Sequence, residues 1–404
     1  MLRIERKEQC CGCTACFNCC PVKAIEMKPD EEGFLYPQID KNMCIDCGLC
    51  ERICPVLNKR NIENVTDGYI IRYKNDKIVR DSTSGGAFTA FASYFLSVDA
   101  LVYGVGYGAN MLVIHKKADQ VNQIDEMRGS KFVQSYLGDI FQEIDTFLRR
   151  GRIVAFFGTP CQIAGLVSYL RKKPDNLFCI DFVCRGVASP MLWNNYVQMM
   201  QKKYGDKIVS AKFKNKTYGY HASTMKIDFA NGKKWYGSGR VDPMMKAFVR
   251  EMASRPSCSE CAFKGVARIS DITMFDCYQF SQITGLQDDD KGYTSILIHS
   301  EAGKKVFNKV KKDLICYSVP VDKLITKNGI MVCNSAKPSE LRSKFYKLTA
   351  NNPIDLAMNI VSPITKKDKI VEYAKKIAYR LGIIMIIKKI KKKEIIEIST
   401  TSKV

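Results

Sequence analysis

The sequence predicts an α+β / α/β chain in three parts: a small α+β domain organised by cysteines, a larger mixed α/β body, and a basic helical tail. Three observations predict it. A cysteine pattern repeats within residues 1–58, apolar strands alternate with amphipathic helices from Gly68 onward, and lysines crowd the segment beyond residue 351. The 404 residues are enough for two or three domains with real cores. A hydrophobic content of 46% and a charged content of 26% are those of an ordinary globular chain, so the eighteen cysteines are the unusual feature.

The N-terminus, "MLRIERKEQCCGC", has no apolar stretch of signal-peptide length, which predicts a cytoplasmic, reducing setting. There, clustered thiols read as metal ligands or redox groups and not as a disulfide framework. "CCGCTACFNCCP" (Cys10 to Pro21) and "CIDCGLCERICP" (Cys44 to Pro55) align without a gap at a constant offset of 34 positions. Both read C-x2-C-x2-C-x3-C-P. The two-residue spacing lets three successive thiolates wrap three corners of an iron–sulfur cubane. The fourth cysteine, followed by proline, turns away and ligates the other cluster, as in two-cluster ferredoxins. Cys10, Cys13, Cys16 and Cys54 are thus expected to hold one 4Fe-4S cluster, and Cys44, Cys47, Cys50 and Cys20 the second. Cys11 and Cys19 align with Ile45 and Ile53, so they read as small apolar fillers. Zinc sites use paired C-x2-C knuckles and not such triplets.

Residues 1–58 therefore read as a bacterial-type two-cluster ferredoxin domain. Between its copies, "IEMKPDEEGFLYPQID" alternates around Pro29, Asp30 and Gly33, a hairpin with its turn. Leu57 to Asp67 is polar and reads as a linker.

The body divides into an N-terminal part, 68–150, and a C-terminal part, 151–350. Its clearest unit is "RIVAFFGTPCQIAGLVSYLRKK": a buried strand Ile153 to Phe157, a tight turn through Gly158, Thr159 and Pro160, then a helix from Cys161. Proline suits a first helical turn, and a glycine turn feeding a helix start suits an anion. "DSTSGGAFTAF" offers Ser84, Gly85 and Gly86 as a second cradle or as a plain N-cap turn. "RGSKFVQSYLG" places Ser130, Lys131 and Ser135 around one helical turn, which a solvated face would also explain. Lys131 is the candidate catalytic or phosphate-contacting residue. The histidines His115, His221 and His299 are scattered, and only His221 lies near a motif of interest.

Four cysteines lack the ferredoxin spacing yet sit at strand ends or in a loop: Cys161, Cys184, Cys258 and Cys261. From their spacing alone, a third cluster and four separate thiols stay equally open. Cys179, Cys277, Cys316 and Cys333 fall in apolar segments and read as core.

Several stretches together resemble the beta subunits of coenzyme F420 hydrogenases and dehydrogenases, in the version with an N-terminal two-cluster ferredoxin domain. They are "STSGGAF", "GSKFVQS", "GTPCQIAGL", "DFVCRGVASP", "RPSCSECAFKGVARISDIT" and "KGYTSILI", in order from about residue 4 to about residue 345. The resemblance implies an iron–sulfur flavoprotein. It implies a third 4Fe-4S cluster on Cys161, Cys184, Cys258 and Cys261, and FAD beside it. It makes Ser84, Gly85, Gly86, Ser130, Lys131, Gly158 and Thr159 candidates for the flavin pocket. The sequence departs from the family where Phe275, Tyr278 and Gln279 replace a glycine, a tryptophan and a glycine, and where Arg185 replaces a histidine.

The implied activity is oxidoreduction. Electrons pass between an external one-electron carrier, the clusters and FAD, which exchanges hydride with a small molecule. That substrate is a deazaflavin coenzyme or another compound, in some relatives one tied to surface-polysaccharide synthesis. The alternatives are a non-catalytic electron-transfer subunit that feeds a separate catalytic chain, and a redox sensor. Expected partners are a ferredoxin-like carrier or a catalytic subunit. The formal charge of +22 is uneven, with eleven Lys or Arg against two acids between Lys366 and Lys393, and no nucleic-acid-binding motif accompanies it, so a nucleic-acid partner is not expected. In this tail, residues 351–404, Ile370, Ala374, Ile377, Leu381 and Ile384 are spaced for one helix face with lysines opposite. Such a helix suits an anionic membrane surface, and equally the body of the protein or an acidic partner.

Overall fold

A computed structural model gives the structure of the chain and describes residues 2–64 and 66–383. Ile384 and the lysines that follow it in the tail lie outside the described residues. The cysteine repeat forms two short helices, Ala15–Cys19 and Leu49–Arg52, and the expected hairpin. Strands β1 (Ile25–Pro29) and β2 (Leu35–Ile39) pair antiparallel, with Ile25 opposite Ile39. The Asp30 carboxylate makes the turn by accepting from the amides of Glu32 and Phe34 at 3.1 and 2.9 Å. Phe34, just past the turn, is fully buried in the main core, 5.9 Å from the Tyr346 ring. The ferredoxin domain is therefore built into the body, although residues 59–64 carry no helix or strand, as the linker reading predicts.

The body opens with β3 (Asp67–Tyr73), β4 (Leu101–Tyr107), β5 (Val113–Ala118), β6 (Val154–Gly158) and β7 (Leu177–Phe182). A separate antiparallel sheet follows, made of β8 (Ile208–Asn215), β9 (Thr224–Phe229) and β10 (Lys234–Ser238). The chain then returns with β11 (Ile272–Asp276), β12 (Thr294–Ile298) and β13 (Leu314–Ser318). The large sheet has the order β13-β3-β12-β11-β7-β6-β4-β5. Its centre, β11, β7, β6 and β4, is parallel, and the flanking pairs are antiparallel. Strands from both sides of residue 150 thus interleave in one sheet.

Parallel strands covered on both faces must be apolar throughout, and every residue of β6 is buried. One face packs Phe91, Phe95 and Phe307 against Val102 and Phe157. The other packs Phe141, Ile163 and Leu166 against Phe156, and this core runs on into Cys13, Ala15 and Ile53 of the ferredoxin domain.

Beside the three-stranded sheet, the fully buried Asp242 carboxylate accepts from Met245 N (2.8 Å), Tyr196 OH (2.7 Å) and Trp235 Nε1 (2.9 Å), capping the helix Pro243–Val249. D242A removes a cap and strands the buried Tyr196 hydroxyl and the half-buried Trp235 donor, so it should cost about 3 kcal/mol, seen as a lower denaturation midpoint at unchanged m.

The tail differs from expectation in two ways. Residues Ile354–Val361 form a helix whose Ile354, Ala357 and Met358 lie in the main core, so this stretch belongs to the body. The next helix, Lys366–Arg380, does not dock by its apolar stripe. It docks by Glu372, which accepts from Ser238 N and Oγ at 3.1 and 2.8 Å, and by Lys375 and Lys376 over the rings of Tyr218 and Trp235. Ile370, Ala374, Ile377 and Leu381 are left exposed. The neighbouring surface presents aromatic faces and backbone and hydroxyl donors, which charged side chains satisfy better than isoleucine does.

Candidate functional site

Ligands in open α/β sheets collect beyond the carboxyl ends of the parallel strands. Here Thr159 and Cys161 follow β6, Cys184 follows β7, and Tyr278 follows β11. All four line one cavity of about 500 Å³. Cys258 and Cys261 enter the same cavity from the loop after the helix Pro243–Val249. The four thiols left open by their spacing therefore face one space. They also interact electrostatically: Cys184 with Cys258, Cys161 and Cys261, and Cys258 with Cys161 and Cys261. Burial drives the Cys184 thiol well above its ordinary value and pushes Cys258 up to about 12. Positive charge brought by a metal would favour ionising all four thiols together, so the donor set fits a metal cluster.

The ferredoxin thiols form two further groups. Cys16 interacts with Cys10 and Cys54, Cys13 with Cys16 and Cys54, and Cys54 with Cys10. Cys20, Cys44, Cys47 and Cys50 ring a small separate cavity of about 20 Å³. Cys54 also interacts with Cys50, so the two groups adjoin one another. No group of three or more Cys, His, Asp or Glu side chains among the described residues closes around a single metal ion. All eighteen cysteines are free.

Cys11 does more than fill space. It packs against the core as expected, but its thiol also hydrogen-bonds with those of Cys13 and Cys161, joining the ferredoxin domain to the third thiol group. Hydrogen bonding to Cys11, with burial, drives the Cys161 thiol well above its ordinary value. The helix Pro160–Tyr169 presses directly on Cys13: a Cβ on Gly165 would lie 2.7 Å from its Cβ and 3.0 Å from its Sγ. Cys19 lies among Cys20, Cys47 and Cys50, its thiol 3.3 Å from the Cys16 carbonyl. Cys179 and Cys277 are buried as expected. Cys316 is half-buried and Cys333 is exposed, because its segment ends a short surface 3-10 turn and not a strand.

Of the other candidates, Ser84, Gly86, Ser130, Lys131 and Thr159 line the large cavity, whereas Gly85 and Gly158 do not. Gly85 is required by packing: a Cβ there would meet the Ile71 carbonyl at 2.5 Å and the Thr294 amide at 2.8 Å. At Gly158 a Cβ would run into the Phe156 ring, 2.7 Å away. Residues 128–138 are not a helix but an irregular, largely buried strip. The Lys131 ammonium turns back on its own loop, donating to the carbonyls of Glu126, Met127, Arg128 and Gly129 at 2.9–3.4 Å, and burial lowers it to about 7. It shapes the loop that the Ser130 amide ties to Thr83 Oγ1 at 3.0 Å. Thr159 caps its helix with Gln162 and lies 3.1 Å from the Cys161 sulfur. Cations outnumber acids along the cavity wall seven to three, which suits an anionic occupant. Phe275 and Tyr278, the departures from the resembled family, stand in that wall, Tyr278 stacked 4.8 Å from Tyr220. His221 is exposed beside Asp288 at 2.8 Å, while His115 and His299 are buried.

Residues 151–323 match the family model for the C terminus of the coenzyme F420 hydrogenase/dehydrogenase beta subunit, and residues 9–58 match that of a 4Fe-4S dicluster domain. The chain joins a dicluster ferredoxin domain to an F420 hydrogenase/dehydrogenase beta-subunit domain. It is 21% identical over 334 residues to a subunit of the F(420)H(2) dehydrogenase of Methanosarcina mazei, covering 77% of this chain and 85% of the relative. An uncharacterised protein of Methanocaldococcus jannaschii is 23% identical over 357 residues, covering 78% of this chain and 90% of that one. A chain of the F420-reducing NiFe hydrogenase complex from Methanosarcina barkeri overlaps 74% of this chain and 92% of its own length at 17% identity, with a TM-score of 0.43. A ferredoxin of Alicyclobacillus acidocaldarius is 46% identical over 41 residues, 10% of this chain and 46% of the relative. The chain thus carries a 4Fe-4S dicluster domain and is similar to a beta subunit of an oxidoreductase family. Arg255, Gln134 and Gly165, which frame the contact between its two domains, had no motif to mark them; the arginine beside a cysteine pair in "RPSCSEC" was the available signal.

Proposed function

We propose that the chain is an iron–sulfur flavoprotein oxidoreductase. It would pass electrons between a one-electron carrier, clusters on the three thiol groups and FAD, with a small organic molecule as hydride partner. The observation that carries the reading is the shared cavity: a four-thiol group and the loops bearing Ser84, Ser130 and Thr159 face one space of about 500 Å³. That volume is within the range of about 300–1,000 Å³ typical of small-molecule sites. A bound flavin would supply exchange between single electrons and hydride.

The chain's own residues do the rest. The loops 82–86 and 129–131 offer hydroxyls and amides to phosphates, and the cationic wall favours their charge. Phe275 and Tyr278 give the cavity an aromatic side and help keep it dry. Arg185, also in the wall, offers a charge to an anionic substrate. At the outer end Cys47 is exposed, with Met43 and Ile45 exposed beside it, a face for a ferredoxin-like carrier or a catalytic subunit. Among the described residues no helix is long and apolar enough to cross a membrane. Contact with a membrane surface, if made, would fall to the exposed Ile370, Ile377 and Leu381 and their lysines.

Anaerobic purification tests the reading through iron, sulfide and flavin per chain. Iron and sulfide sufficient for three clusters, with bound FAD, is the expected result. Full iron without flavin, on a protein that co-purifies with a catalytic chain, would replace it with an electron-transfer subunit.

A further inference from the structure

We infer that Arg255 is the positioning residue of the junction between the inner ferredoxin thiol group and the third thiol group, where it sets the ease of reduction on both sides. The inference rests on the electron path proposed above. Its starting point is a buried cation without a counter-charge: Arg255 is 1% exposed, and no carboxylate among the described residues pairs with it. Its guanidinium instead donates to the carbonyls of Cys10 (2.8 Å) and Leu35 (3.1 Å) and to Gln134 Oε1 (3.0 Å). It lies over the rings of Tyr36 and Phe34, at 4.1 and 5.5 Å.

The main chain of Arg255 belongs to the other side of the junction. Its amide donates to the Val187 carbonyl, in the loop that carries Cys184, and its carbonyl accepts from the Cys258 amide at 3.0 Å. One residue therefore has its backbone among Cys184 and Cys258 and its fork on the backbone of Cys10. The fork's place depends on Gly12, at φ +69°, where a Cβ would lie 2.3 Å from Gln134 Nε2 and 3.1 Å from Arg255 Nη1. Beside it, Cys11 links the thiols of Cys13 and Cys161.

Burying a guanidinium among neutral carbonyls is costly. Anionic thiolate-ligated clusters on either side would supply the missing counter-charge. The reciprocal effect is that a fixed cation stabilises the added negative charge when either cluster is reduced, which raises its potential. A plain structural brace would hold the two domains together and leave potentials alone.

The test is a potentiometric EPR titration of the full-length protein, loaded anaerobically, as wild type, R255K and R255M. In R255M the reduced-to-oxidised ratio of both inner clusters at a fixed potential should fall at least about tenfold, which is 59 mV for one electron. R255K, which keeps the charge, should recover most of the shift. The outer cluster, on the side of Cys44 and Cys47, should not move. If R255M does not load iron, R255Q, which keeps donors for the two carbonyls, carries the same comparison. Three loaded clusters with unmoved potentials in the uncharged variant would overturn the role of Arg255 alone. A wild type that loads only two clusters would overturn the electron path beneath it.

Discussion

Replacing Cys161 with serine should lower iron and sulfide from three clusters' worth to two, and leave both ferredoxin signals in place. Cys161 is half-buried at the start of the helix Pro160–Tyr169 and lines the cavity that Cys184, Cys258 and Cys261 share. A serine hydroxyl is a much poorer ligand than a thiolate, and its pKa is far too high for it to ionise there. The loss should be specific, because the inner ferredoxin group retains Cys10, Cys13, Cys16 and Cys54. If flavin is bound, it should still bind C161S yet no longer be reduced by an external one-electron donor, while a two-electron donor continues to act on it. Metal loading also holds the loops of Cys184 and Cys258 together, so the thermal midpoint should fall with the iron. Spin quantitation and iron analysis decide the matter. A C161S protein with wild-type iron and a complete set of EPR signals would mean that the third thiol group holds no cluster.

What could be read from the sequence, and what could not, divides by range. The dicluster domain was legible because three of each four proposed cysteines lie within seven residues, and the repeat offers the fourth. The hairpin β1–β2 was legible from Asp30 and Gly33, and the β6 unit from its unbroken apolar run and the Thr159-Pro160 cap. The third thiol group was legible only as four cysteines at suggestive places. Their meeting depends on β6, β7 and β11 lying side by side, with Cys258 and Cys261 returning across them, which no local pattern encodes. Residues 128–138 misled because Ser130, Lys131 and Ser135 imitate a helix face. In the fold, tertiary contacts win, and the strip runs extended past Val113 and Ala188, with Tyr136 N donating to the Val113 carbonyl and Gln134 N to the Ala188 carbonyl at 2.9 Å each. The tail misled in the other direction. Its apolar stripe is real but stays exposed, and Glu372 decides the docking through two acceptor contacts to Ser238.

Cys54→Ser should abolish the EPR signal of the cluster bound by Cys10, Cys13 and Cys16, although Cys54 lies in the other copy of the repeat. The fold gives the reason. Cys54 follows the short helix Leu49–Arg52 and lies near Cys10, Cys13 and Cys16, while Cys20 lines the smaller cavity with Cys44, Cys47 and Cys50. In the crossed assignment each C-P pair would send its thiol across to the partner loop, because a helix of one turn would carry the chain away from its own cubane. C54S and C10S should therefore remove the same signal, and the double variant should lose no more than either single one. C54S with C44S should lose both ferredoxin signals. The two sites also differ in exposure: Cys47 is open to solvent, whereas Cys13 and Cys16 are buried. The signal that survives C54S should accordingly be the first lost to oxygen or ferricyanide, and the signal that survives C20S the slower. Loss of the same signal from C54S and C44S would mean that each loop binds its own four thiols and that the crossed assignment is wrong.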